Sequence, residues 1–296
     1  MVREQSYTAP QKLSVVLRLK EYAILTKLRL STIVVVSAVL GYLMATEFVL
    51  RDFLLMIAGG FLVTGASNGF NQVIEKDYDK LMQRTQNRPL VKHSISVAEA
   101  IWVSVLFGVS GLVLLWMINP LSFVLGFLAL FIYVAVYTPM KRVSAWAVFV
   151  GAFPGAIPPL LGYVAATGKF GIVPGLLFFV QFMWQFPHFW AIAWVLDDDY
   201  KKAGYRLLPS QFGRNPGSSL QILIYTCTMI VSSASLWIFN ITGVISLIVC
   251  SVAGLLFYRL ALKLHHSQEM KDAKKLMFAS FIYLPLIQLI YVLDKI

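Results

Sequence analysis

The sequence predicts an all-α integral membrane protein with about nine transmembrane helices. Three observations predict it. Of 296 residues, 58% are hydrophobic and only 13% charged, about half the charged share of a soluble domain. Apolar stretches of roughly one membrane thickness recur along the whole chain. The charges that remain are segregated between alternate connections.

The apolar segments lie near 31–50, 53–73, 97–118, 120–138, 144–166, 171–196, 219–238, 241–262 and 276–293. None alternates as a barrel strand does. Breaks between them carry turn residues, as at Asn119-Pro120, Gly168 and Asn240. Residues 1–30 read as a charged N-terminal arm without the apolar core of a signal peptide. Polar loops are expected near 74–96, 139–143, 197–218 and 263–275, within a single polytopic domain spanning 1–296.

Twenty-two of the 25 Lys and Arg fall in the N-terminal arm and these alternate connections, the last counted from Arg259 to Lys275, leaving only Arg51, Lys169 and Lys295 on the others. The asymmetry places the N-terminus and the long loops in the cytoplasm, with the chain in the cell (inner) membrane. Topology and anionic headgroups therefore explain the net charge of +11, and no nucleic-acid partner is needed. Cys227 and Cys250 sit inside apolar runs and read as small buried residues, with no metal spacing.

The chemistry concentrates after the second apolar segment. Asn71, Glu75 and Asp79 are spaced i, i+4, i+8, which stacks their oxygens on one helical face. Asn68 leans toward that face and Asp77 away from it. Stacked carboxylates repel one another, and a divalent cation relieves the repulsion. All-oxygen donors suit Mg²⁺, which takes few carboxylates and fills its shell with water and phosphate oxygens. A solvated helix end balanced by Lys76 and Lys80 would look similar, but acids beside a membrane are functional by default. Arg84, Arg88 and Lys92 repeat the same spacing, and guanidinium forks match phosphate oxygens. Together these residues describe a metal–diphosphate clamp, which Lys141 and Arg142 can reach from the next connection.

A second acidic group, Asp197-Asp198-Asp199, closes the sixth segment. Pairing of Asp197 and Asp198 with Lys201 and Lys202 accounts for part of it. Asp199 lies eleven residues, about three turns, beyond His188 and is expected on the same face. His188 is set among Trp184, Phe186, Phe189 and Trp190. Segments 53–96 and 171–216 thus share a layout of apolar helix, acidic end and basic loop.

The string Asn71-x₃-Glu75-x₃-Asp79 followed by Arg84-Thr-x-Asn87-Arg88-Pro89 resembles the first aspartate-rich motif of the UbiA-type intramembrane prenyltransferases, and within them the branch that farnesylates protoheme IX. Further similar strings are Leu25-Thr-Lys27-Leu-Arg29-Leu-Ser, Tyr137-Thr-Pro-Met-Lys141-Arg142, Gly155-Ala-Ile-Pro-Pro-Leu-Leu-Gly162 and Gln181-Phe-Met-Trp184-Gln-Phe-Pro187-His188-Phe-Trp190. The resemblance implies a helical bundle around a central cavity. It implies farnesyl transfer from farnesyl diphosphate to a vinyl group of heme b, with water addition, giving heme O and diphosphate. By the same resemblance Mg²⁺ would be held by Asn71, Glu75, Asp79 and Asp199, with Arg84 and Arg88 assisting catalysis. Lys27, Arg29, Lys141, Arg142, Trp184, His188, Asp198 and Asp199 would bind substrate, and a downstream heme-modifying enzyme is a possible partner. Quinone-type members carry aspartates where this chain has His188 and Val195, which weakens a fully carboxylate second metal site and favours a heme acceptor. An aromatic quinone precursor as acceptor, or a secondary transporter with ion-coupling acids, are the rival readings.

Overall fold

The computed structural model describes residues 14–210 and 213–296. The rest of the expected N-terminal arm, residues 1–13, and positions 211–212 of the expected 197–218 loop lie outside the described residues. In chain order the helices are α1 (Val15–Leu25), α2 (Leu28–Leu43), α3 (Leu50–Asp79), α4 (Val97–Trp116), α5 (Pro120–Phe131), α6 (Thr138–Met140), α7 (Ala147–Thr167), α8 (Ile172–Lys202), α9 (Pro216–Ser233), α10 (Ser235–Ile238), α11 (Val244–Ser267) and α12 (Met270–Leu293). Residues Ile132–Tyr137 join α5 to α6 as a π-helical turn. Among the described residues, eight helical stretches are long and apolar enough to cross a membrane, and nine if the bent pair α1–α2 is one span.

Many ends follow the sequence signals. Asn119 and Asn215 each cap a helix that begins with proline, accepting from the backbone N–H of Ser122 and Ser218. Gly168 closes α7 in the left-handed conformation, φ 65°, and Asn240 takes φ 55° beyond α10.

Two expected irregular stretches are helical instead. Residues 15–25 form α1, because Val15, Val16, Leu17, Leu19 and Ile24 dominate a segment whose interspersed charges suggested an arm. The expected loop 263–275 shrinks to Gln268 and Glu269. Lys263 belongs to α11, while Lys271, Lys274 and Lys275 continue into α12.

The chain bends by 53° between α1 and α2, with Lys27 in the left-handed region at φ 48°. A break frees carbonyls that water cannot satisfy inside a bundle, and α3 supplies the donors. Gln72 Nε2 donates to the Ile24 and Leu25 carbonyls at 3.0 and 2.8 Å. Asn68 Nδ2 reaches the Thr26 carbonyl and Ser31 Oγ, both at 3.4 Å. Asn68 is therefore a brace for the bend and does not join the acid row.

Small residues let helices approach closely, as membrane interfaces require. Gly41 of α2 packs on the Pro159 backbone of α7, and Gly162 of α7 packs on the Ala38 carbonyl of α2. Gly59 and Gly111 do the same between α3 and α4. Proline 159 leaves the Gly155 carbonyl without its helical donor, and Gln181 Nε2 of α8 fills that place at 2.6 Å. Gln181 Oε1 in turn accepts from Ser37 of α2 and Gln288 of α12, each at 2.7 Å. One polar knot thus ties α2, α7, α8 and α12 together.

α3 and α8 hold 30 and 31 residues, about 45 Å each, longer than the roughly 30 Å hydrocarbon layer. Both overshoot at the basic end of the bundle, and their last turns carry the acids. Of the cysteines, Cys250 is buried as expected. Cys227 is exposed, because an apolar run on a membrane helix also supplies the lipid-facing side.

Candidate active site

Asn71, Glu75 and Asp79 lie on the last turns of α3 with 1%, 5% and 1% of their surface exposed. Burial settles against a solvated helix end. Each side chain meets a partner from another part of the chain. Asn71 Nδ2 donates to Thr138 Oγ1 at 3.3 Å. Lys141 Nζ pairs with Glu75 at 2.5 Å, and Arg88 Nη1 pairs with Asp79 Oδ2 at 2.5 Å. Lys141 itself is buried, with its ammonium 4.7 Å from the centre of the Tyr137 ring.

The π-helical turn explains how Thr138 and Lys141 arrive there. Extra residues in one turn shift the register of the helix end, a feature frequent at functional sites. Thr138 Oγ1 also donates to the Tyr133 carbonyl at 2.8 Å, completing that turn.

The row supplies few donors of its own. Among the described residues, no group of three or more His, Cys, Asp or Glu stands close enough to hold a metal ion. Asp79 Oδ1, however, is buried without a hydrogen-bond partner among the described residues, and a second carboxylate stands one turn away. One or two carboxylates completed by substrate phosphates and water is the way Mg²⁺ is ordinarily bound. The residues present fit a metal brought in with a diphosphate, and not a cage made by protein alone.

The expected basic row is not a row. Residues 80–96 form successive turns, so Arg84, Arg88 and Lys92 share no helical face. Arg88 folds back on Asp79, while Arg84 and Lys92 are exposed. Lys27, at the α1–α2 bend, is an electrostatic neighbour of Arg88, Lys141, Glu75 and Arg84. Arg29 is exposed and stands apart. Arg142 is exposed too, its guanidinium 4.1 Å from the centre of the Tyr78 ring.

Asp199 does not reach the acid row either. Its two carboxylate oxygens accept from the backbone N–H groups of Gln83 and Arg84 at 2.9 and 3.1 Å, with Lys202 at 3.3 Å. It tethers the 80–96 segment to α8. Beside this tether Arg84, Val195 and Asp199 line a cleft of about 370 Å³. Asp197 pairs with Lys201 as expected, at 2.6 Å. Asp198 pairs with Arg214 at 3.0 Å rather than with Lys202.

His188 lies about 16 Å along α8 from Asp199 and faces α12. Its Nδ1 is 2.7 Å from Ser280 Oγ. Trp184 stacks on the imidazole at 4.2 Å and 19°, and its Nε1 donates to the Ser280 carbonyl at 3.1 Å.

Sequence reasoning did not find Thr138, Tyr205 or Ser280 as partners of these groups. Tyr205, in the connection after α8, is buried beside Glu75 and Asp79. Burial first, and those two carboxylates second, hold its phenol well above the usual tyrosine range, so it remains a neutral donor. A single tyrosine in a loop has no spacing that would mark it.

Residues 34–282 match the pattern of the UbiA prenyltransferase family. The chain belongs to this family. Similar UbiA relatives include a protein named protoheme IX farnesyltransferase from Christiangramia forsetii, 46% identical over 94% of both chains. The human mitochondrial protein of that name is 34% identical over 92% of this chain and 61% of its own length. Among solved structures, a digeranylgeranylglyceryl phosphate synthase shares the fold with a TM-score of 0.78 at 20% identity, covering 94% of this chain and 98% of that one. A UbiA homologue from Archaeoglobus fulgidus bound to GPP and Mg²⁺ has a TM-score of 0.72 at 17% identity, covering 92% and 99%.

Proposed function

We propose that this protein transfers a farnesyl group from farnesyl diphosphate to a vinyl group of heme b, with water addition, releasing diphosphate and giving heme O. The observation that carries the reading is the buried pairing of Glu75 with Lys141 and Asp79 with Arg88 at one end of the bundle. Two carboxylates for a metal and two cations for an anion stand within one cluster, in a chain 46% identical to a protein named for this reaction.

On this reading, Asn71, Glu75 and Asp79 would hold Mg²⁺, which would supply positive charge at the departing diphosphate. Lys141 and Arg88 exchange their carboxylate partners for phosphate oxygens, and Lys27 and Arg84 add positive charge at the same end. Tyr205 donates a hydrogen bond from its neutral phenol. The allylic C–O bond breaks with its electron pair leaving on diphosphate, a step assisted mainly by such placed charges. A heme vinyl carbon then bonds to the allylic carbon, water captures the resulting cation, and a proton is released. Apolar helix walls keep water from the allylic cation until then. His188, stacked on Trp184, serves the acceptor as an iron ligand through its neutral imidazole.

The basic end faces the cytoplasm of a cell whose inner membrane holds the chain, following the positive-inside rule. A heme-modifying enzyme would consume the product. The test is an in vitro reaction with farnesyl diphosphate, Mg²⁺ and a panel of acceptors, read by mass spectrometry and diphosphate release. A hydroxyethylfarnesyl adduct of heme b is expected. Turnover of an aromatic acid alone, or solute flux without diphosphate release, would refute it.

A further inference from the structure

Ser280, on α12, has a hydroxyl with a single proton. That proton is committed, because Oγ donates to the Met277 carbonyl at 2.6 Å. The 2.7 Å contact between Oγ and His188 Nδ1 must therefore be made by a proton on the imidazole. In the neutral ring this puts hydrogen on Nδ1 and leaves the lone pair on Nε2. Nε2 has no hydrogen-bond partner among the described residues.

The ring is also held in plane. Trp184 lies 4.2 Å from it on one side, and Phe189 and Phe281 stand at 5.3 and 5.2 Å. The Trp184 indole donates to the backbone carbonyl of the same Ser280. Two aromatic rings of α8 are thus anchored to one residue of α12, and only one imidazole nitrogen remains uncommitted.

We propose that Ser280 is a positioning residue for the acceptor, fixing the His188 tautomer and plane so that Nε2 is presented to the iron of heme b. The proposal rests on the reading of His188 as heme ligand. A hydrogen bond accepted from the distal ring nitrogen orients a ligating histidine and raises the basicity of the other, and its loss typically costs about 10–100-fold in metal affinity. The hydroxyl of Ser280 is chemically matched to that role, since its own proton is turned away.

The test titrates heme b into the purified full-length protein and records affinity, the Soret band and the iron–histidine stretch of the ferrous complex. His188→Ala is expected to abolish the iron–histidine signature. Ser280→Ala is expected to weaken heme binding about 10–100-fold and lower the stretching frequency, with KM for farnesyl diphosphate unchanged. Ser280→Thr keeps the hydroxyl and is expected to behave as the unaltered protein. If His188→Ala leaves the spectrum as it was, the ligand reading fails. If His188→Ala removes the signature while Ser280→Ala changes neither affinity nor frequency, the ligand reading stands and the role of Ser280 is overturned. Histidine ¹⁵N spectra of the unaltered protein need no variant to fold. Hydrogen on Nδ1 of His188 is expected, and hydrogen on Nε2 alone would overturn the proposal.

Discussion

Arg88→Met is expected to destabilise the bundle severely, and adding Asp79→Asn to restore most of the loss. Asp79 is 1% exposed, and among the described residues Arg88 is its cationic partner, at 2.5 Å. At an effective dielectric near 20, unit charges at that separation attract by roughly 6–7 kcal/mol. Desolvation of both ions offsets most of this, so the intact pair contributes little net stability. Breaking it is different, because the remaining carboxylate keeps its desolvation cost without the compensating charge. The expected loss is about 3–5 kcal/mol. In the double variant neither member of this pair carries a charge while the neighbouring Glu75–Lys141 pair stays intact, and replacing both partners is close to neutral, within about 1 kcal/mol. The assay is reversible unfolding of the purified protein in mixed detergent micelles for the unaltered chain, both singles and the double. An Arg88→Met variant within about 0.5 kcal/mol of the unaltered protein, the range of an ordinary surface change, would refute the buried-pair account.

Three further outcomes are expected. Glu75→Gln and Asp79→Asn should stop diphosphate release even in the fraction that folds, each at a cost in stability because Lys141 or Arg88 is left buried without its carboxylate, and full activity of either would defeat the metal assignment. Asp199→Ala should speed amide exchange at Gln83 and Arg84 roughly a hundredfold, for loss of about 3 kcal/mol in charge-assisted hydrogen bonds, while leaving the Mg²⁺ concentration dependence unaltered. A raised Mg²⁺ requirement would instead return Asp199 to the metal. Gly162→Ala should push α2 away from α7, since the added methyl would overlap the Ala38 carbonyl, costing about 1–3 kcal/mol or more; unchanged unfolding would refute that contact.

Much of this was readable before any coordinates. Apolar periodicity located the spans, and Asn119-Pro120, Gly168 and Asn240 marked true ends, because caps and left-handed turns are local chemistry. The i, i+4, i+8 spacing of Asn71, Glu75 and Asp79 was readable for the same reason: a helix converts spacing into geometry. The same rule failed for Arg84, Arg88 and Lys92, whose segment is a series of turns. Spacing has no geometric meaning there. The groups that hold Asp199 and Asn68 in the structure, the N–H groups of Gln83 and Arg84 and the carbonyl of Thr26, were not legible, because they are backbone atoms with no sequence signature. Ser280 and Tyr205 are single residues distant in the chain from the groups they touch, and only tertiary packing connects them.

The knot of Gln181 with the Gly155 carbonyl constrains biogenesis. With Pro154, Pro158 and Pro159 in one span, α7 lacks several of its own backbone bonds and enters lipid at a penalty when alone. Its complement resides on the next segment to leave the ribosome. The two spans therefore satisfy the Gly155 carbonyl in lipid only as a hairpin, with α8 beside α7.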